Sequence, residues 1–412
     1  MTSTAAKPAR YALAAAIGTW HADTMARPRP AISDTADPAG TVDVLVIGAG
    51  ISGAAVAYEL SDDHSVMILD MEAVAGHHTT GRSAATFLES YGGPIVRALT
   101  RSSRSFMEQA PLTQAPILTP LGVLWVTDDT ARDDTTALHE EVCATVPNCR
   151  LLTGRQAEDA SPILRPGWCA GAVFEPDAKE IDVHALHQGY LAAVRRAGGS
   201  IRTRARVVSG ERSGGSWQVH LADGSCILAD QVVNAAGAWA DEIAVAFGVP
   251  PVGLVPMRRT AFLARRPVHL HGNLPLTCAL DDSWYVVPRP GALMCSPADQ
   301  TPRPPCDERP DEIQIARAIE AINQATTLEI RGIESPWAGQ RTFAPDRIPV
   351  AGQDPEVSGF AWHAGQGGYG VQLAPALARV TAALVRGEPI PQDLQDQGVE
   401  AQSLAPGRLR AS

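Results

Sequence analysis

Apolar residues fall into three blocks between residues 43 and 70, in the stretch DVLVIGAGISGAAVAYELSDDHSVMILD. Val44 to Ile47 are unbroken and mostly β-branched, which predicts a strand buried on both faces. Ile51 to Leu60 are alanine-rich and predict a helix. Ser65 to Leu69 predict a second strand, which ends at Asp70. Gly48, Gly50 and Gly53 lie between the first strand and the helix. Gly48 permits a tight turn, Gly50 lets the backbone approach a pyrophosphate, and Gly53 lets helix and strand pack closely. The amides and dipole at the helix start (Ile51, Ser52) favour phosphate, and a carboxylate at Asp70 suits the hydroxyls of a ribose. Strand, helix, second strand and acid together predict dinucleotide binding. The motif alone does not separate NAD from FAD.

Beyond Asp70 the pattern leaves a simple nucleotide fold. Residues 71 to 93, MEAVAGHHTTGRSAATFLESYGG, are rich in Gly, Ser, Thr and Ala, as a backbone lying along a flat ligand would be. Leu186, Tyr190 and Val194 mark one face of an amphipathic helix ended by Gly198. Residues 216 to 237 read as a hairpin turning at Asp223 and Gly224, followed by a buried strand that ends at Asn234-Ala235-Ala236-Gly237. In GFAWHAGQGGYGVQLAPALARVTAALV, residues 359 to 385, a strand runs into four glycines (365, 367, 368, 370) and then a helix. That helix start faces something anionic or electron-accepting.

Composition narrows the class. A chain of 412 residues, 45% hydrophobic, can bury a full core and form two domains. The net charge of -11 and the lack of basic runs with interleaved aromatics argue against nucleic acid. No apolar run is long enough to span a membrane. The seven cysteines are scattered without a CxxC, which fits reduced thiols in a cytoplasmic enzyme, soluble or peripheral at the inner membrane face. His184 and His187 share a helix without a third ligand, so no metal site is expected. Residues 1–40 read as a disordered extension. Their YALAAAIGTW segment is a weak export signal, and Met25 is an alternative start.

Nine stretches, HTTGRSAA, YGGPIVRALT, DVHALHQGYLAAVRR, VVNAAGAWAD, MRRTAF, LDDSWYVVP, QATTLEIR, WAGQRTF and GQGGYGVQ, resemble the D-amino acid oxidase (DAO) family of FAD-dependent amine and amino-acid oxidoreductases. Within it they are most similar to bacterial D-arginine dehydrogenases. The resemblance implies an α/β fold, with a Rossmann-like FAD-binding domain (41–100, 180–245 and 336–390) interleaved with a mixed-sheet substrate domain (101–179 and 246–335), then a tail (391–412). It implies noncovalent FAD held by Gly48, Gly50, Ile51, Ser52, Gly53, Asp70 and Met71. His78, Thr80, Gly81, Arg82, Ser83, Ala84 and Ala85 would lie along the cofactor, with Val207, Ala235 and Gly237. Gly365, Gly367, Gly368, Tyr369, Gly370, Val371 and Gln372 would close around its far end.

The implied reaction takes a hydride from the carbon bearing an amine, leaving an imine that water hydrolyses to a 2-oxo acid. A carboxylate is best fixed by a guanidinium, and the resemblance places Arg341 and Arg259 there, with Tyr285 and Tyr91 beside them and Gly367 also at the substrate. Arg258 should alternate to the opposite face. Two positions depart from the D-arginine dehydrogenases: Val123 stands where those enzymes have a glutamate for the substrate guanidinium, and Thr86 where they have a histidine. With Val123, Leu124 and Trp284 as walls, the side-chain pocket reads as apolar, Glu89 being the one nearby acid. Neutral D-amino acids are therefore expected over D-arginine. The alternatives are an oxidase of secondary or cyclic amines and a flavin-binding protein without turnover. Oxygen, a quinone or a dye could each accept the electrons.

Overall fold

The computed structural model describes residues 40–410, apart from 144, 145, 147, 269 and 271. The N-terminal extension expected over 1–40 lies, but for Gly40, outside the described residues. The strand–helix–strand unit forms as Thr41–Ile47, Ile51–Leu60 and Val66–Leu69. Thr41–Ile47 pairs in parallel with Val66–Leu69 on one side and Cys226–Asn234 on the other. Val44, Leu45 and Val46 are fully buried, so this strand needs no polar face. Ser200–Arg202 extends the sheet at one end, and Phe360–Ala364 pairs with the last residues of Cys226–Asn234. The hairpin expected at Asp223-Gly224 joins Ser216–Leu221 to Cys226–Asn234.

Helices Ile51–Leu60, Val183–Arg196 and Gly370–Val385 cover one face of this sheet, where Leu186, Tyr190 and Val194 are buried as their spacing requires. Alanines at 54, 55 and 57 let the helices lie close.

The second sheet is mostly antiparallel. Its strands include Val123–Thr127, Gly171–Glu175, Val255–Arg265, Leu276–Ala279, Tyr285–Arg289 and Glu334–Phe343. One face packs through Leu124, Val126 and Phe262 onto helix Glu312–Ala325. The other carries Val123, Ala261, Leu276, Cys278 and Val287. Two expected boundaries shift. Glu334–Phe343 pairs with Val255–Arg265, so residues 336–343 belong to the second sheet. Helix Pro94–Gln109 packs on Gly370–Val385 and so extends the first unit past residue 100. The C-terminal segment is folded: Leu394, Val399 and Leu404 are buried, and Arg410 pairs with Asp354 at 2.6 Å.

Glu175, cross-strand from Val123, is buried and accepts the Glu89 N–H at 3.0 Å. Burial pushes its carboxyl up to about 7. The folded chain thus holds this proton more tightly than the unfolded chain does. The resulting stability is complete below the ordinary carboxylate range and is lost as pH rises toward that raised value. Glu175→Gln keeps an acceptor and cannot ionise, so its Tm should fall less than that of the wild type between about pH 5 and 8. Parallel Tm–pH curves would contradict this.

Candidate active site

A cavity of about 490 Å³ runs from the first glycine loop to the second sheet. At one end are Gly48, Gly50, Ile51, Ser52, Asp70 and Met71. His78, Thr80, Arg82, Ser83, Ala84, Ala85 and Thr86 also line it, as do Val207, Ala235, Gly237, Gly365, Gly367, Gly368, Gly370, Val371 and Gln372.

Three expected cofactor residues stand behind this wall rather than in it. A Cβ at Gly53 would come 1.8 Å from the Gly48 carbonyl oxygen, so Gly53 serves helix–strand packing. Gly81 donates its N–H to the Gly76 carbonyl at 2.8 Å and closes the turn of its loop. Tyr369 packs edge-on against Tyr91, ring centroids 5.0 Å apart.

The loop is fixed by side chains far from it in sequence. Asp70 accepts the N–H groups of Ala49 and Glu72, each at 2.8 Å, and burial raises its carboxyl pKa despite these bonds. Thr80 accepts the Ile51 N–H at 3.0 Å, taking one of the helix-start donors that the sequence assigned to phosphate. Ser52 donates to Gln366 at 2.8 Å and so joins the two glycine loops. Arg82 lines the cavity, but its guanidinium is committed to Asp307 and the Ala338 and Glu308 carbonyls, which ties the 78–85 loop to the second sheet. Gln372 brackets the backbone of Leu88 and bonds Thr100, which holds the loop leading to Tyr91.

At the other end, Arg341 pairs in register with Met257, and Arg259 with Gly339. The two arginines therefore share one face of neighbouring strands. Arg341 Nη1 is 3.4 Å from the Tyr91 hydroxyl. A Cβ at Gly368 would lie 2.9 Å from that Nη1, so this glycine makes room for the guanidinium. Arg259 is buried, lies 5.9 Å from the Tyr285 ring, and donates through Nε to the Asp299 carbonyl at 3.0 Å. Among the described residues its Nη2, ion-paired with Asp282 at 3.7 Å, has no hydrogen-bond partner, and neither does Gln366 Nε2. Buried donors without a hydrogen bond along one cavity fit an acceptor-rich ligand. Arg258 turns away, to Asp299 at 3.0 Å and Asp311 at 2.5 Å, as alternation predicted.

Residues 43–384 match the model of the DAO family, described as FAD dependent oxidoreductase. The chain belongs to the DAO family. Glycine oxidase from Geobacillus kaustophilus (strain HTA426) is 26% identical over 358 residues, which cover 83% of this chain and 92% of that protein. Human mitochondrial dimethylglycine dehydrogenase is 26% identical over 267 residues, 59% of this chain but 30% of that longer protein. Among solved structures, the Geobacillus glycine oxidase has a TM-score of 0.73 at 23% identity, covering 85% of this chain and 95% of the other. Iminodiacetate oxidase from Chelativorans sp. BNC1 has 0.73 at 22%, covering 88% and 98%. As a DAO-family oxidoreductase the protein depends on FAD. Gly48, Gly50, Ser52 and Asp70 would hold its dinucleotide half, and the 78–85 and 365–372 loops its ring system.

Several expectations about the side-chain pocket change in this DAO-family chain. Val123 is fully buried among Leu88, Ala178 and Leu276, beneath the cavity wall and outside the cavity. Leu124 and Trp284 belong to the cluster on the opposite face of the sheet. Glu89 is buried and accepts from Arg104 Nε at 2.8 Å, away from the cavity. The walls near the arginines are instead Trp125, Ala261, Leu276, Cys278, Val287 and Trp337. Trp125 was within reach of the sequence, since it has the same parity as Val123, and Val287 lay in the LDDSWYVVP motif; Leu276 and Cys278 lay in a strand carrying no motif. The relatives named act on glycine, dimethylglycine and iminodiacetate rather than D-arginine.

His363 and His187 keep structural parts. His363 is fully buried, bonds Thr381 at 2.7 Å, and is held neutral by burial, which lowers its pKa to about 3. His187 bonds the Ala49 carbonyl at 2.8 Å and braces the glycine loop. Glu72, His77 and His78, which the sequence reading did not group, bring metal-ligand atoms within 4.8 Å of one another. His78 there bonds Glu72 at 3.0 Å. Among the described residues no helix is long and apolar enough to cross a membrane.

Proposed function

We propose that the protein oxidises a small primary or secondary amino acid, glycine or an N-substituted glycine, at the carbon beside the nitrogen. One observation carries this reading: two guanidiniums from neighbouring strands open onto one cavity, and a buried Arg259 donor there, ion-paired with Asp282 at 3.7 Å, makes no hydrogen bond among the described residues. That arrangement suits a carboxylate. Glycine oxidase, similar to this chain over nearly its whole length, and iminodiacetate oxidase, similar in fold, agree with it. They favour the small- and secondary-amine alternative over neutral D-amino acids. Val123, on which the D-amino acid preference rested, lies outside the cavity.

Bound FAD supplies a hydride acceptor. Arg341, with Arg259, takes the substrate carboxylate and fixes the direction of the neighbouring C–H bond, which is catalysis by positioning. The Tyr91 hydroxyl orients Arg341, and Tyr285 packs against Arg259. As hydride leaves carbon, the nitrogen gives a proton to water. A water then adds across the C=N bond, yielding a 2-oxo acid and an amine. With apolar walls at Ala261, Leu276 and Val287, little bulk water competes with the arginines for the carboxylate.

FAD-loaded protein offered glycine, N-methylglycine, iminodiacetate and both enantiomers of alanine and leucine should give carbonyl product, with kcat/KM highest for a glycine derivative. Both oxygen and a dye should be offered as acceptor. A D-leucine value about tenfold or more above every glycine derivative would contradict the reading.

A further inference from the structure

A second cavity, of about 660 Å³, adjoins the first. It lies between the end of strand Val123–Thr127, helix Arg132–Cys143, the Leu280–Trp284 turn and residues 90–92. Tyr91, Trp125 and Asp282 line both cavities and therefore stand at the boundary between them. We infer that Asp282 and this second cavity form a subsite for a positively charged group at the far end of the substrate. The inference rests on the amine oxidation proposed above and adds a substrate class to it.

The lining has one sign. Asp128, Asp134, Glu141, Asp281 and Asp282 contribute carboxylates, and among the described residues no lysine or arginine lines the cavity. Three tryptophans, 125, 168 and 284, supply aromatic faces. Carboxylates with aromatic faces are the surroundings in which an ammonium or guanidinium is held, by charge attraction and cation–π contact. An anion would be repelled.

Asp282 is placed for this role by its backbone. Its φ is +57°, a conformation few non-glycine residues adopt, held by its N–H bond to the Ala279 carbonyl at 3.1 Å. Gln300 donates to Oδ2 at 3.0 Å, and Arg259 Nη2 lies 3.7 Å from the same oxygen. Oδ1 accepts no hydrogen bond from a described residue. That Arg259 nitrogen is buried and, among the described residues, has no hydrogen-bond partner, so Asp282 holds it by an ion pair at 3.7 Å without a hydrogen bond. A substrate reaching past this boundary would complete a row of alternating charge: substrate carboxylate, Arg259, Asp282, distal cation.

The test compares substrates of equal length that differ in the distal group, using FAD-loaded protein. N-(2-aminoethyl)glycine is set against N-propylglycine, and ornithine against norleucine in both enantiomers. The charged member of at least one pair should have a kcat/KM about tenfold or more above its neutral partner. Asp282→Asn should reduce that ratio about tenfold, and Asp282→Glu should restore part of it. The wild-type ratio decides even if the variants fail to fold. Oxidation of the neutral members with ratios near or below one would overturn the inference and leave amine oxidation standing. Absence of oxidation of any member, glycine included, would overturn both.

Discussion

Arg341→Ala should lower kcat/KM for the amine substrate roughly 30-fold to several-thousand-fold while FAD stays bound. Arg341 lies on the strand Glu334–Phe343, paired with Val255–Arg265, and its guanidinium meets Tyr91 at the cavity wall. Burial works against its charge, but Tyr91, Tyr285 and Asp282 outweigh that and raise its pKa, so it is cationic at every pH the protein meets. Removing it leaves the substrate carboxylate facing Arg259 alone and frees the C–H bond to wander from its productive direction. Arg341→Lys should recover only part of the loss, because an ammonium cannot make the paired bonds of a guanidinium. FAD content, read from the absorbance of purified protein, should match the wild type. A folded, FAD-loaded Arg341→Ala protein with near-normal kcat/KM would reject the carboxylate role.

Val123→Glu should cost stability rather than redirect specificity, on the order of 3–5 kcal/mol. Val123 is fully buried, and its register partner across the sheet is Glu175, itself buried. A new carboxylate would be desolvated beside a like group and without a cation. The variant should melt far below the wild type or fail to load FAD, and should gain no D-arginine turnover. A stable Val123→Glu protein that oxidises D-arginine would show instead that this side chain reaches the substrate. Trp125, two positions on and exposed to the cavity, is where a substitution should alter substrate preference.

The contrast between these residues shows which parts of the protein its sequence displays. The nucleotide end is local. Strand, three glycines, helix and Asp70 lie within 28 residues, and their periods and turn chemistry are visible one after another. Arg259 and Arg341 were also visible, each in a motif and on a strand where parity sets direction. Gly53 was assigned its packing role by the same logic.

The substrate chamber was harder to see, because it is assembled from strands that pair across long separations. Val123–Thr127 lies parallel to Leu276–Ala279, and alternation along one strand cannot tell which inward side chain reaches open space and which is covered by Leu276 and Leu88. Trp284 packs on the opposite face of the sheet and lines the second cavity rather than the first, a placement that strand alternation from the preceding turn does not reveal. Thr80 and Gln366 cap and bridge glycine loops from 29 and 314 residues away. No periodicity in the chain records such contacts.

Rapid mixing of FAD-loaded protein with glycine, N-methylglycine and iminodiacetate in the absence of oxygen tests amine oxidation most directly. The yellow absorbance of bound FAD should disappear at a rate that saturates with amine concentration for at least one of them. One carbonyl product should form per FAD, and Arg341→Ala should slow the loss at least about 30-fold. Absorbance unchanged by these amines and by both enantiomers of the common amino acids, in protein that holds FAD, would contradict it.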